Sequence, residues 1–263
     1  MPAANRAVRQ ANDDAVGVIV VLGIAAVLVG VIVGAVGVGG VLLPPALILL
    51  GGLAPADATA ISLISFTLAG AVSAGMFLRG GEFPTAVVGR LAVGLVPAAF
   101  VGGWLSDRIP AAAVLAALCA VCLFSALWTT IRPTPQSHRD SLAAGSAVPI
   151  GAGVGFGSAV TGTSGPVLLT PALIAYGFPA SRAIVAGQVV QVLVTPAGAA
   201  GHLVHGVPNL PLTIVLGTAT AVGVAAGIVG TRRLRPPEVL LRRLVTVLLV
   251  GTGVLVAVRL AAL

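Results

Sequence analysis

Gly37-Val38-Gly39-Gly40-Val41-Leu42-Leu43-Pro44-Pro45-Ala46-Leu47-Ile48 returns in the second half of the chain as Gly162-Thr163-Ser164-Gly165-Pro166-Val167-Leu168-Leu169-Thr170-Pro171-Ala172-Leu173-Ile174. Each copy is an apolar stretch broken by glycines and followed by a Pro-Ala-Leu-Ile core. With 58% hydrophobic residues, 8% charged residues and a mean hydropathy of +1.13, the chain stands far from the roughly 25% charged composition of soluble domains. It reads as membrane-embedded. In lipid, a broken helix survives only where protein or a watery cavity covers its free N–H and C=O groups. Paired interruptions at matching places in two halves are therefore the sequence mark of a transport site.

Working outward, the apolar segments divide as 15–36, 41–53, 58–78, 85–105 and 110–130, then 143–162, 166–176, 183–204, 210–230 and 239–262. The stretch Arg132 to Ser141 is the clearly polar interval between them. This gives one transmembrane domain over the whole chain, with repeat one at 15–130, a linker at 131–142 and repeat two at 143–262. Each repeat runs as a long helix, a glycine break, a short segment and three further helices. Ala58 and Ala183 open the third segment of each half, and Ile109-Pro110 matches Arg235-Pro236 before each last helix. The run from Ala15 is too long for the apolar part of a leader, Asp13 and Asp14 precede it, and no small-residue cleavage site follows, so it reads as a retained helix.

The fold class is all-α: a polytopic membrane protein of about eight to ten transmembrane segments in two tandem repeats with short glycine-broken helices. If the short segments re-enter and return, the repeats are parallel. If they cross, the repeats are inverted. Arginine placement favours crossing. Arg79, Arg132, Arg139, Arg182, Arg232, Arg233, Arg235, Arg242 and Arg243 then share one side, against Arg6, Arg9, Arg108 and Arg259 on the other. Arginine excess marks the cytoplasmic face, which puts both termini outside.

The net charge of +7 does not indicate nucleic acid, because the arginines cap apolar segments and no basic stripe interleaved with aromatics exists. Cys119 and Cys122 sit within one apolar run and read as small hydrophobes on a helix rather than a redox pair. Walker A phosphate chemistry needs a lysine, and the chain has none. The run Gly151 to Gly157 lacks the strand that a dinucleotide loop requires. His202 and His205 have no evident third ligand, so neither a metal nor any other cofactor is expected. No nucleophile has a convincing base in the pattern, so an enzyme is not expected either. Gly30 and Gly34, Gly151 and Gly155, and Gly223 and Gly227 are small residues four apart, suited to close helix packing.

Helix starts after glycine-rich turns offer unpaired N–H groups and a positive dipole end, a combination that binds anions without a charged side chain. Candidate substrate-binding residues are Gly37, Gly39, Gly40, Gly162, Thr163, Ser164 and Gly165 at the breaks, with Ser62, Ser65, Gln188 and Gln191 lining the path from the third segment of each half. Pro45 and Pro171 are expected as structural breaks. For any serine or threonine the competing fate is back-bonding to its own helix, and for the glutamines it is a helix–helix hydrogen bond. Asp57, Glu82, Asp107 and Glu238 fall at segment ends. The absence of acids from mid-membrane suits an anionic substrate rather than proton or sodium coupling.

These residues resemble the sulfite exporter TauE/SafE family. The resemblance rests on both glycine breaks with their Pro-Ala-Leu cores, the alanine-led third helix with Ser62, its counterpart Ala183-Ile184-Val185-Ala186-Gly187-Gln188, and the run Gly102-Gly103-Trp104-Leu105-Ser106-Asp107-Arg108-Ile109-Pro110. It covers the chain from about Val16 to the C-terminus. The family's run of three glycines is shortened here to Gly39-Gly40 and replaced by Ser164-Gly165-Pro166 in the second half. The resemblance implies a multi-pass permease of the bacterial plasma membrane that exports sulfite or a small organosulfonate. The expected partners are that small anion and the lipid bilayer, and the oligomeric state is not encoded in any motif. A carrier of another small solute and a non-transporting membrane scaffold are the alternatives.

Overall fold

The computed structural model describes residues 2–37, 39–80, 85–110, isolated positions between 112 and 127, 142–206, 208–235 and 237–261. Among these, every regular element is helical. In chain order they are α1 (Pro2–Val36), a 3₁₀ turn (Gly40–Leu42), α2 (Leu43–Gly51), α3 (Pro55–Arg79), α4 (Thr85–Leu105), a second 3₁₀ turn (Ser106–Arg108), α5 (Ala144–Thr161), α6 (Pro166–Tyr176), α7 (Ala180–Leu203), α8 (Leu210–Leu234) and α9 (Glu238–Ala261). Residues 131–141 of the linker 131–142, and Cys122, lie outside the described residues.

Five stretches are long and apolar enough to cross a bilayer: Val16–Val36, Ala56–Arg79, Thr85–Leu105, Ala180–Leu203 and Leu210–Leu234. At a rise of about 1.5 Å per residue each covers the roughly 30 Å of hydrocarbon. Apolar side chains also cover the outside. Val16, Ile24, Leu28, Val93, Phe100, Ile214 and Val222 are exposed, as expected of a surface bathed in lipid. At the helix ends arginine meets aromatic rings. The Arg108 guanidinium lies 5.1 Å from the Trp104 ring centroid, and that of Arg232 lies 5.2 Å from Phe77 while donating to the Met76 carbonyl at 3.1 Å. Such pairs suit the membrane interface.

The glycine pairs seen in the sequence are where the helices touch. α1 packs along α8 and α4 along α5. A Cβ on Gly34 would overlap the Val224 carbonyl, one on Gly223 the Val27 carbonyl, and one on Gly227 the Val31 carbonyl. In the α4–α5 pair, Gly151 and Gly155 abut the Leu91 and Leu95 carbonyls in the same way. Both pairs run in the same sense, residue number rising together on the two helices. α3 packs on α7 and α8, and α4 also packs on α7. Exchanging α1, α3 and α4 for α5, α7 and α8 maps this set of pairings onto itself.

The α3–α7 contact runs the other way. Leu63 lies beside Gly198, the Thr67 and Thr195 hydroxyls are 3.2 Å apart, and Ser73 donates to the Gln188 carbonyl at 3.2 Å. As the number rises on α3 it falls on α7, so these two helices are antiparallel. α2 turns back along α1, with Gly39 against Ile32 and Gly51 against Leu22. The isolated described positions between 112 and 127 are helical, and the half-buried Cys119 directs its thiol to the Gly253 carbonyl of α9 at 3.4 Å. That is packing, as its apolar surroundings led one to expect.

Candidate functional site

The two long helices that precede the breaks end alike. α1 closes on Gly37 at φ 75°, whose N–H bonds the Val33 carbonyl at 2.8 Å. α5 closes on Gly162 at φ 67°, whose N–H bonds the Ser158 carbonyl. A left-handed residue after the last turn is the common way to stop a helix, and glycine adopts it without a Cβ penalty.

Beyond these stops the two breaks meet each other. A Cβ on Gly40 would overlap Ser164 Oγ and lie 2.6 Å from Ser164 Cβ and 3.0 Å from its backbone N. Gly37 lies against Ile184 of α7 and the Thr170 hydroxyl of α6. Gly165 seats on Val190 and Val194, near the middle of α7, and Gly187 seats on Thr170 and Pro166. Two segments far apart in sequence thus converge beside α7, deep among the transmembrane helices.

The hydroxyls of the breaks and of the helices packed about them divide into two kinds. Thr67 bonds the Leu63 carbonyl at 2.9 Å, Thr195 the Gln191 carbonyl at 2.7 Å and Thr161 the Gly157 carbonyl at 2.7 Å. These are ordinary back-bonds within a helix. Ser62, Ser65, Ser158, Ser164 and Thr170 are fully buried, and their hydroxyls have no hydrogen-bond partner. Gln188 and Gln191 are split. Their amide nitrogens donate across helix interfaces, Gln188 to the Val33 carbonyl and Gln191 to that of Phe66 at 3.0 Å. Their amide oxygens are buried without a partner. Each unmatched buried polar group costs about 1–3 kcal/mol, so seven among the described residues require an explanation other than packing.

The structure brings Gly37, Gly40, Ser164 and Gly165 to one junction. Thr163 contributes less than its position suggests. Its hydroxyl lies 3.0 Å from Thr161 Oγ1, and because Thr161 donates to Gly157, Thr163 donates to Thr161. Ser65 lies at the α3–α8 interface, its Cα 3.4 Å from where a Gly217 Cβ would stand. The expected supply of free helix-start N–H groups is also narrower. Pro166 has none, and those of Val167, Leu168 and Leu169 bond back to the Ser164 and Gly165 carbonyls. Among the described residues, the N–H groups of Ser164 and Gly165 have no acceptor.

Pro45 and Pro171 do not act as breaks. Pro45 lies in the first turn of α2, where a missing N–H costs little, and Pro171 is carried inside α6. The chain is broken at the glycines before them. Ser158 and Thr170 are the residues that sequence reasoning missed. Thr170 stands just before Pro171 in the duplicated core, where the first half has Pro44, and that lone polar replacement was the available signal. His202 is buried, with Nδ1 3.2 Å from Ser106 Oγ and Nε2 3.0 Å from the Ala159 carbonyl, while His205 is exposed. Among the described residues no cluster of three metal-ligating side chains occurs, and Asp57, in the first turn of α3, is exposed.

A family model described as Sulfite exporter TauE/SafE matches residues 19–256. The chain belongs to the sulfite exporter TauE/SafE family. As a TauE/SafE member with five long apolar helices, it is a multi-pass membrane transporter. The match spans both breaks and the helices that carry the orphaned hydroxyls and amides, so the family domain contains the whole junction. No curated protein and no solved structure matches the chain.

Proposed function

We propose that this transporter carries a small anion, sulfite or a small organosulfonate first, across the bacterial plasma membrane, and that the anion passes between the two glycine breaks. The observation that carries the reading is the pair of fully buried, unpartnered hydroxyls of Ser164 and Thr170 at a backbone junction with free N–H groups at Ser164 and Gly165, with those of Ser62 and Ser65 equally buried and unpartnered on α3. An oxyanion supplies acceptors to all of these. Neutral donors are the appropriate hosts for one small charge that must leave again, because they bind it without the permanent grip of an opposite charge. Membership of a family described as sulfite exporters supports a sulfur oxyanion as that cargo.

The repeat organisation supports the same reading. Repeats at 15–130 and 143–262, joined by 131–142, are inverted if the short helices count as crossings. The antiparallel α3–α7 contact and the exchangeable helix pairings favour that arrangement. Inverted halves with broken helices at their shared centre are the architecture of alternating access.

The test is uptake of radiolabelled sulfite into liposomes containing only this protein, with an imposed membrane potential of either sign. Flux that follows the potential and is competed by sulfonates is expected. Each charge gains about 2.3 kcal/mol per 100 mV, so the response to potential should be steep. Flux equal to that of protein-free liposomes, from folded protein, would reject the anion reading and leave a carrier of another solute or a scaffold.

A further inference from the structure

The glutamines place a condition on the cargo that the hydroxyls alone do not. The Val33 and Phe66 carbonyls can only accept, so each carboxamide must turn its NH₂ toward them. That fixes the two amide oxygens on the opposite side of each group, where both are buried and unpartnered. Gln188 and Gln191 are three residues apart and so share a face of α7. They lie in the same stretch of α7 on which Gly165, Pro166 and Thr170 seat, from Gly187 to Val194. Donors at Ser164, Gly165 and Thr170 and bare acceptors at Gln188 and Gln191 thus stand along one stretch of α7.

A fully deprotonated oxyanion satisfies the first set and is repelled by the second. An anion that carries its own hydrogen satisfies both. Resting on the sulfur-oxyanion reading above, we propose that the transported species is a monoanion with a hydrogen-bond donor: hydrogen sulfite rather than sulfite, and hydroxyl-bearing sulfonates over plain alkyl ones. Gln188 and Gln191 are the specificity-determining residues, their amide oxygens accepting the O–H of the cargo. Discrimination of this kind is large, because a site built to bond a hydroxyl leaves a buried group unpaired when the hydroxyl is missing.

The experiment uses the liposomes already described, at total sulfite well below saturation, with equal pH on both sides and protein-free leakage subtracted. Above the second ionisation of sulfite, protein-dependent flux should fall about tenfold per pH unit, following the hydrogen sulfite fraction. 2-Hydroxyethanesulfonate should compete at least about tenfold better than methanesulfonate. Gln191→Met, which keeps the volume and removes the acceptor, should narrow that gap. If this variant does not insert, the pH profile and the two sulfonates on the unaltered protein still decide. Flux that rises with the dianion, or equal competition by both sulfonates, overturns this inference and leaves the anion reading standing. Absence of flux with any of these anions overturns both.

Discussion

Thr67 and Ser65 are two residues apart on α3 and differ by a methyl group, yet only Thr67 back-bonds to its own helix. A buried hydroxyl without an acceptor destabilises the folded protein, and its replacement by an apolar group of similar shape removes that cost. Thr170→Val and Ser62→Ala are therefore expected to raise thermal stability slightly, by up to about 1 kcal/mol each, while lowering flux at least several-fold. Thr195→Val, which deletes a satisfied hydroxyl, is expected to lower stability without that gain. The pair of readouts, melting in detergent and uptake in liposomes, separates a transport residue from a packing residue. If Ser62→Ala and Thr170→Val lose stability along with flux, their hydroxyls have protein partners and the candidate site shrinks to the breaks. The sequence marked Ser62 as a candidate but could not say which hydroxyls would be satisfied, because that depends on side-chain rotation and on neighbours from other helices. Thr170 was hidden for the same reason, inside a core whose pattern otherwise says packing.

The short helices show what patterning does and does not encode. The segment 166–176 was legible to the residue, because glycine ends it and proline begins it. α7 starts at Ala180 rather than at 183 because Ser181 and Arg182 continue the helix into the polar interface. α8 likewise runs past its apolar stretch through Thr231, Arg232 and Arg233 to Leu234. Hydropathy stops where lipid stops, whereas backbone hydrogen bonding carries the helix further. The contact of Gly40 with Ser164 is a property of the folded chain alone, since nothing local ties positions so far apart. It makes a sharp prediction. Gly40→Ala is expected to cost about 1–3 kcal/mol by overpacking. Ser164→Gly, which removes the colliding Oγ and Cβ, is expected to recover part of that loss in the double variant. Additive losses in a thermal double-mutant cycle would mean that the two breaks do not touch.

At the scale of the whole molecule, the glycine seams and the α3–α7 crossing make separate demands. Because α1–α8 and α4–α5 are related by exchange of the halves, Gly34→Leu and Gly155→Leu should damage the protein comparably, each driving a side chain into a facing carbonyl. Loss of folded protein on size-exclusion chromatography measures this, and a large asymmetry between the two would show that the seams are not equivalent. The sense of α3 against α7 is decided by cross-linking in a background with Cys119 and Cys122 replaced. Antiparallel helices bring Leu63→Cys to Gly198→Cys and Ser73→Cys to Gln188→Cys. Parallel helices would exchange these partners, joining position 63 to 188 and 73 to 198. The first pattern is expected. It matters for mechanism because α3 and α7 hold corresponding places in the two proposed repeats. If they oppose each other, rocking one half against the other opens the central junction to one side of the membrane while closing it to the other. If they run together, the halves present the same face to the same side, and alternating access would need some motion other than exchange of the repeats.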